Sequence, residues 1–232
     1  MQVKNKNFVK NSNNNGKNDK SSHKTPKIMK SFIIIDKQYD FDNPDGALYV
    51  PGAENINKPI IDYIKKNRNS INQIIWTVDA HKKKDQSFKD YGGQWPVHCV
   101  DGTKGAAINK ELYDELSKFK IPMVIVKKGT VEDHEEYGAF EVCTTFHHLY
   151  PNEPAQVKHC YFRNFEGTSG CRIINDNIVI CGIAGDFCVK ESIKNLLKHW
   201  RFNIEVFMDG IASIDDGTAL KELINERGLK QI

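Results

Sequence analysis

The chain's 232 residues, 39% hydrophobic and 27% charged, suffice for one substantial core, and no second hydrophobic pattern calls for another domain. No apolar run approaches the roughly 20 residues that span a bilayer, and no apolar stretch follows the basic N-terminus as in a secretory signal, so the expectation is a cytoplasmic protein with no membrane partner. The net charge of +3 hides a division, because residues 1–30 carry eight lysines and one aspartate and the remainder is acidic.

The segment 1–30 is rich in Asn, Ser and Lys and has no arginine. It reads as a solvated, disordered tail rather than an arm for nucleic acid, and the folded domain is expected over 31–232. Phe32-Ile33-Ile34-Ile35-Asp36 is a short continuous apolar run, the mark of a strand buried on both faces. Ile56, Ile60, Ile61 and Ile64 follow at helical spacing. Gln73 to Asp79 repeats the strand pattern, Leu112, Leu116 and Phe119 the helical one, and Met123 to Lys128 forms a third strand. Residues 141–176 break the alternation and offer only a strand around His159 to Phe162. Beyond them come a strand at Asn177 to Ile183, a helix through Val189, Ile193, Leu196, Leu197 and Trp200, a strand at Ile204 to Asp209, and a helix through Leu220, Leu223 and Ile224.

Strands alternating with helices predict an α/β, three-layer αβα fold with a mostly parallel central sheet. Ligands of such sheets bind beyond the carboxyl ends of the strands. Asp36, Asp79, Lys128 and the turn from Gly182 to Cys188 all fall there, so they are expected to meet in one crevice.

Each of these residues has chemistry to offer. Cys188 lies where a small-residue turn enters an amphipathic helix, where unpaired N–H groups and the helix dipole favour a thiolate and can bind an oxyanion. A buried core cysteine is the other reading. Asp36 follows three isoleucines, where a carboxylate is costly to bury unless paired. An acid, a lysine and a cysteine from three strand ends make a base, an electrostatic partner and a nucleophile. Asp79, His81 and His98 supply two imidazoles and one carboxylate, a set that holds a metal and leaves positions open. Cys143, His147, His148, His159, Cys160 and Cys171 form a second, weaker grouping with no finger spacing. The six cysteines, Cys99 and Cys181 included, show no C-x-x-C pair and are expected as free thiols.

With these residues assembled, the chain resembles the nicotinamidases of the isochorismatase-like cysteine hydrolases. The matching stretches are Ile35-Asp36-Lys37-Gln38-Tyr39-Asp40-Phe41, Thr77-Val78-Asp79-Ala80-His81, Gly93-Gln94-Trp95-Pro96-Val97-His98-Cys99-Val100, Lys128-Gly129 and the Cys188 turn. The resemblance implies the isochorismatase-like hydrolase fold, a catalytic triad of Asp36, Lys128 and Cys188, and an oxyanion hole from the N–H groups of Ala184 and Cys188, with a cis peptide before Ala184. It also implies a substrate ring held by Phe41 and Trp95, and Asp79, His81 and His98 around a divalent ion, zinc or else iron or manganese, that holds the pyridine nitrogen. The implied reaction takes nicotinamide to nicotinate and ammonia through a thioester, in NAD salvage, with a small amide as partner, no nucleic acid, and a homo-oligomer allowed. Related readings are an amidase for another small heteroaromatic or ureido-type amide, and a binding relative without turnover. The chain departs from the family in carrying Gly185 where threonine is usual, which is expected to loosen the turn, and in the unassigned residues 141–176.

Overall fold

The computed structural model describes residues 27–145, 160–163, 169–199 and 201–232. Six parallel strands form the central sheet: β1 (Lys30–Ile35), β2 (Ile71–Asp79), β3 (Met123–Lys128), β7 (Asn177–Ile183), β8 (Asn203–Ala212) and the short β9 (Lys230–Gln231), in the order β3-β2-β1-β7-β8-β9. All five pairings between neighbours are parallel.

Both faces of this sheet are buried, as continuous apolar strands require. In β1, Phe32 and Ile34 join a core with Ile74, Trp76 and the helices α2 (Asn57–Asn67) and α3 (Lys110–Ser117), through Ile60, Ile64, Leu112 and Leu116. Ile33 and Ile35 point the other way, into a core with Ile75, Ile178 and Ile180. The helices α4 (Lys190–His199) and α5 (Thr218–Arg227) cover that core with Ile193, Leu196, Leu223 and Ile224. A further helix, α1 (Tyr39–Asp42), is a single turn after β1. The three-layer arrangement expected from the alternation is therefore present.

Among the described residues of 141–176, which break the periodic pattern, there are three short strands: β4 (Val142–Thr145), β5 (Cys160–Arg163) and β6 (Gly170–Ile173), paired antiparallel in a sheet of their own. The strand expected near His159 to Phe162 is β5. Phe162, Cys171 and Ile173 pack into the same core as α4 and α5. Residues 1–26 of the tail expected over 1–30, the histidines 147, 148 and 159 of the weaker metal grouping and Trp200 lie outside the described residues, as do the side chains of Cys143 and Cys160; Lys30, the last residue of that tail, opens β1.

The chain runs outward from β1 through β2 to β3, and then returns to the other side of β1 with β7. The order reverses between β1 and β7, and a crevice at the carboxyl ends of the strands results from that reversal. Among the described residues no helix is long and apolar enough to cross a membrane.

Candidate active site

The residues singled out at the strand ends meet where the strand order reverses. Asp36 directly follows β1, with a left-handed φ of 49°; its N–H donates to Thr77 O at 3.1 Å and its Oδ1 accepts from Thr77 Oγ1 at 2.6 Å. Lys128 ends β3 in register with Asp79 at the end of β2. Its ammonium pairs with Asp79, lies 2.9 Å from Asp36 Oδ2 and 3.6 Å from Cys188 Sγ. Asp36 thus keeps one carboxylate oxygen on Thr77 and the other on the Lys128 ammonium. The acid oxygens of Asp36 and Asp79 and the sulfur of Cys188 lie within 4.8 Å of one another.

Burial sets the charges of this cluster. It raises the Asp36 carboxyl to about 6, against the opposing pull of Lys128 and with the help of Asp79. Burial would discharge Lys128, but Asp36 and Asp79 hold its ammonium well above the usual lysine range. Asp79 is pushed up by burial and brought well below the carboxylate range by Lys128 and His81. Cys188 is raised well above the ordinary thiol range by burial, which Lys128 only partly opposes. Burial and the two neighbouring carboxylates thus oppose the thiolate that the helix terminus favours. The local structure is also wider than a plain helix start, for Gly185–Val189 form a π-type turn before α4.

Beside this cluster, one ligand atom each from Asp79, His81 and His98 falls within the same 4.8 Å span. His98 Nδ1 sits 2.8 Å from the Pro96 carbonyl, which can only accept, so Nδ1 carries the proton and Nε2 has the lone pair. His81 Nδ1 meets Asp85 Oδ2 at 3.0 Å, orienting its Nε2 toward Asp79. Burial pulls the His81 imidazolium down, yet Asp79 and Asp85 carry it up to about 10. That pull marks a place where the carboxylates favour a cation, and burial and His81 together lower His98. The donor set therefore suits a divalent metal. Gly129 completes the cradle: at φ +63° its missing Cβ would stand 2.9 Å from the His81 ring and 3.2 Å from Asp79 Oδ1.

A cavity opens over both clusters, lined among others by Phe41, Trp95, Ala184, Phe187 and Cys188, together with His81 and His98. Trp95 packs edge-on to Phe187 at 5.1 Å, and its Nε1 donates to Tyr137 Oη at 3.0 Å. Phe41 lies 5.4 Å from the His98 ring. The walls are aromatic, and the peptide between Ile183 and Ala184 is cis.

No family model matches the chain. Individual proteins do. The nicotinamidase of Saccharomyces cerevisiae is 30% identical over 188 residues, covering 71% of this chain and 79% of that protein. The chain belongs to the nicotinamidase family. Two solved structures agree with it: the pyrazinamidase of Pyrococcus horikoshii in complex with zinc, at a TM-score of 0.65 and 29% identity over 88% of this chain and 98% of that one, and the L. infantum protein PnC1 in complex with nicotinate, at 0.67 and 25% over 89% and 93%.

All nine residues expected at this nicotinamidase site come together: Asp36, Lys128 and Cys188 in one buried cluster, Asp79, His81 and His98 in the next, and Phe41, Trp95 and Ala184 in the cavity wall. Sequence reasoning missed Asp85, which steadies His81, and Glu135, Tyr137 and Phe187, which line the cavity. The signal for Glu135 and Tyr137 was available, since both belong to the loop that leaves the carboxyl end of β3.

Proposed function

We propose that the protein is an amidohydrolase converting nicotinamide to nicotinate and ammonia through a thioester on Cys188, as a step of NAD salvage. The observation that carries this reading is the Lys128 ammonium shared among Asp36, Asp79 and Cys188 beneath an aromatic cavity. Such a cluster has no structural return equal to the cost of burying three ionisable groups and a thiol.

Asp36 takes the thiol proton as sulfur attacks the amide carbon, and the N–H groups of Ala184 and Cys188 receive the oxyanion. Asp36 returns that proton to the amide nitrogen, the C–N bond breaks and ammonia leaves. A water molecule then gives a proton to Asp36 and its oxygen to the thioester carbon, and the C–S bond breaks to release the acid and restore the thiol. Lys128 keeps its proton throughout and offsets the charge that passes between sulfur and carboxylate. Phe41 and Trp95 hold the ring so that the amide meets the sulfur. A divalent metal held by Asp79, His81 and His98, zinc by the donor set with iron or manganese as the other choices, supplies a Lewis acid suited to a pyridine nitrogen.

The test is ammonia release from nicotinamide and from a panel of other heteroaromatic and ureido-type amides. Nicotinamide should give the highest kcat/KM, and Cys188→Ala should release no ammonia above background. Preference for another amide would replace the substrate; no turnover of any amide would leave a binding protein.

A further inference from the structure

The loop that follows β8 is fastened to the nucleophile's turn at two points. The Asp186 carboxylate, 3% exposed, accepts the backbone N–H of Ile214 at 3.1 Å and that of Asp215 at 2.6 Å. One residue earlier in each segment, Gly185 faces Ser213. A Cβ at position 185 would lie 2.4 Å from Ser213 Oγ and 2.8 Å from Ile211 Cγ2, both closer than side-chain carbons come to other heavy atoms. Gly185 is not among the glycines with positive φ. What excludes a side chain there is space already taken, not backbone freedom.

The next residue of the loop, Ile214, lines the cavity above Cys188. One loop therefore touches the turn from below, through Ser213 and Asp186, and the substrate space from the side. The sequence suggests that glycine in place of threonine loosens this turn. The structure corrects that expectation, since the volume and the hydroxyl are supplied from another element.

We propose that Ser213 is a positioning residue for the nucleophile: by filling the space beside Gly185, with Asp186 clasping the same loop, it sets where the Ala184–Cys188 turn stands against the amide. This rests on Cys188 being the nucleophile of the proposed amide hydrolysis. Ser213 is not part of the cavity lining, so its effect is on the geometry of the turn and not on ring binding.

The experiment compares wild type, Gly185→Ala, Ser213→Gly and the double variant, by kcat and KM for nicotinamide and by the rate of iodoacetamide alkylation at Cys188, located by peptide mass spectrometry. Gly185→Ala should lower kcat about 100-fold with KM changed by no more than about threefold. The double variant, relieved of the Ser213 contact, should regain about tenfold of that loss. Ser213→Gly introduces no clash and should by itself lower kcat about fivefold, again at near-constant KM, and change the alkylation rate in step.

A double variant no better than Gly185→Ala would overturn the pairing, as would Ser213→Gly with wild-type kcat and alkylation rate. If Gly185→Ala does not fold, the Ser213→Gly measurements alone decide. The alkylation arm needs no substrate: if wild type leaves nicotinamide intact, a changed rate in Ser213→Gly upholds the positioning while the substrate assignment falls, and an unchanged rate overturns the positioning itself.

Discussion

The Asp36 carboxyl, raised to about 6 by burial against the pull of Lys128, makes the pH profile a direct reading of the proposed base. The active form is the ionised one, so kcat/KM should fall about tenfold per pH unit below about 6 and level off above it. Lys128 is the strongest influence holding that carboxyl down. Lys128→Met should therefore move the acid limb to higher pH and lower the plateau, and a limb that stays in place would show that another group sets it. That these three residues belong together was legible because each ends or follows a continuous apolar run, and strand ends of a parallel sheet meet at one edge. What opposes the thiolate was not legible. It depends on the burial of Cys188 and on carboxylates that arrive from β1 and β2, distant in sequence, while the local pattern shows only a helix start.

Among the elements, the end of β2 and the loop that runs from it to α3 carry the proposed metal ligands, and side chains outside the ligand set tie them down. Asp85 bonds His81 Nδ1 at 3.0 Å. Gln38, fully buried after β1, accepts the Asp79 N–H at 2.7 Å and donates to the Asp79 carbonyl at 2.8 Å, so its amide extends the ladder past the last paired residue. Asp85→Ala should weaken metal binding about 10- to 100-fold, measured by competition with a chelating dye. His98→Ala should abolish stoichiometric binding, and a variant that keeps its metal would displace His98 from the ligand set. The ligands were legible from residue type and spacing; their supports were not, because an aspartate in a lysine-rich loop looks like any solvated charge. The small antiparallel sheet of β4, β5 and β6 escaped for a related reason. Strands of four residues give too few positions for a period of two to stand out, and their partners are set by tertiary contact.

For the whole molecule, two cores on opposite faces of the sheet hold the strand ends in place, and a buried ion pair fastens the chain leaving β1 to the single-turn helix α1. Lys37 is fully buried, donates to the Ala53 carbonyl at 2.7 Å and pairs with Asp42 at 3.1 Å, while Asn109 Nδ2 donates to the same carboxylate at 2.7 Å. Burial drives the Lys37 ammonium below the usual lysine range and Asp42 restrains it. Asp42→Asn leaves that ammonium without its counter-charge and should cost about 3–5 kcal/mol in denaturant unfolding; an unchanged midpoint and slope would show that the pair contributes nothing net. This network passes directly behind Asp36 and Phe41, so loss of stability and loss of activity should be read separately. Acid quenching during nicotinamide turnover, followed by peptide mass spectrometry, shows whether Cys188 carries the acyl group. A nicotinoyl group should appear on the peptide holding Cys188 and be absent from Cys188→Ala, which should release no ammonia. Ammonia release by Cys188→Ala would contradict that role.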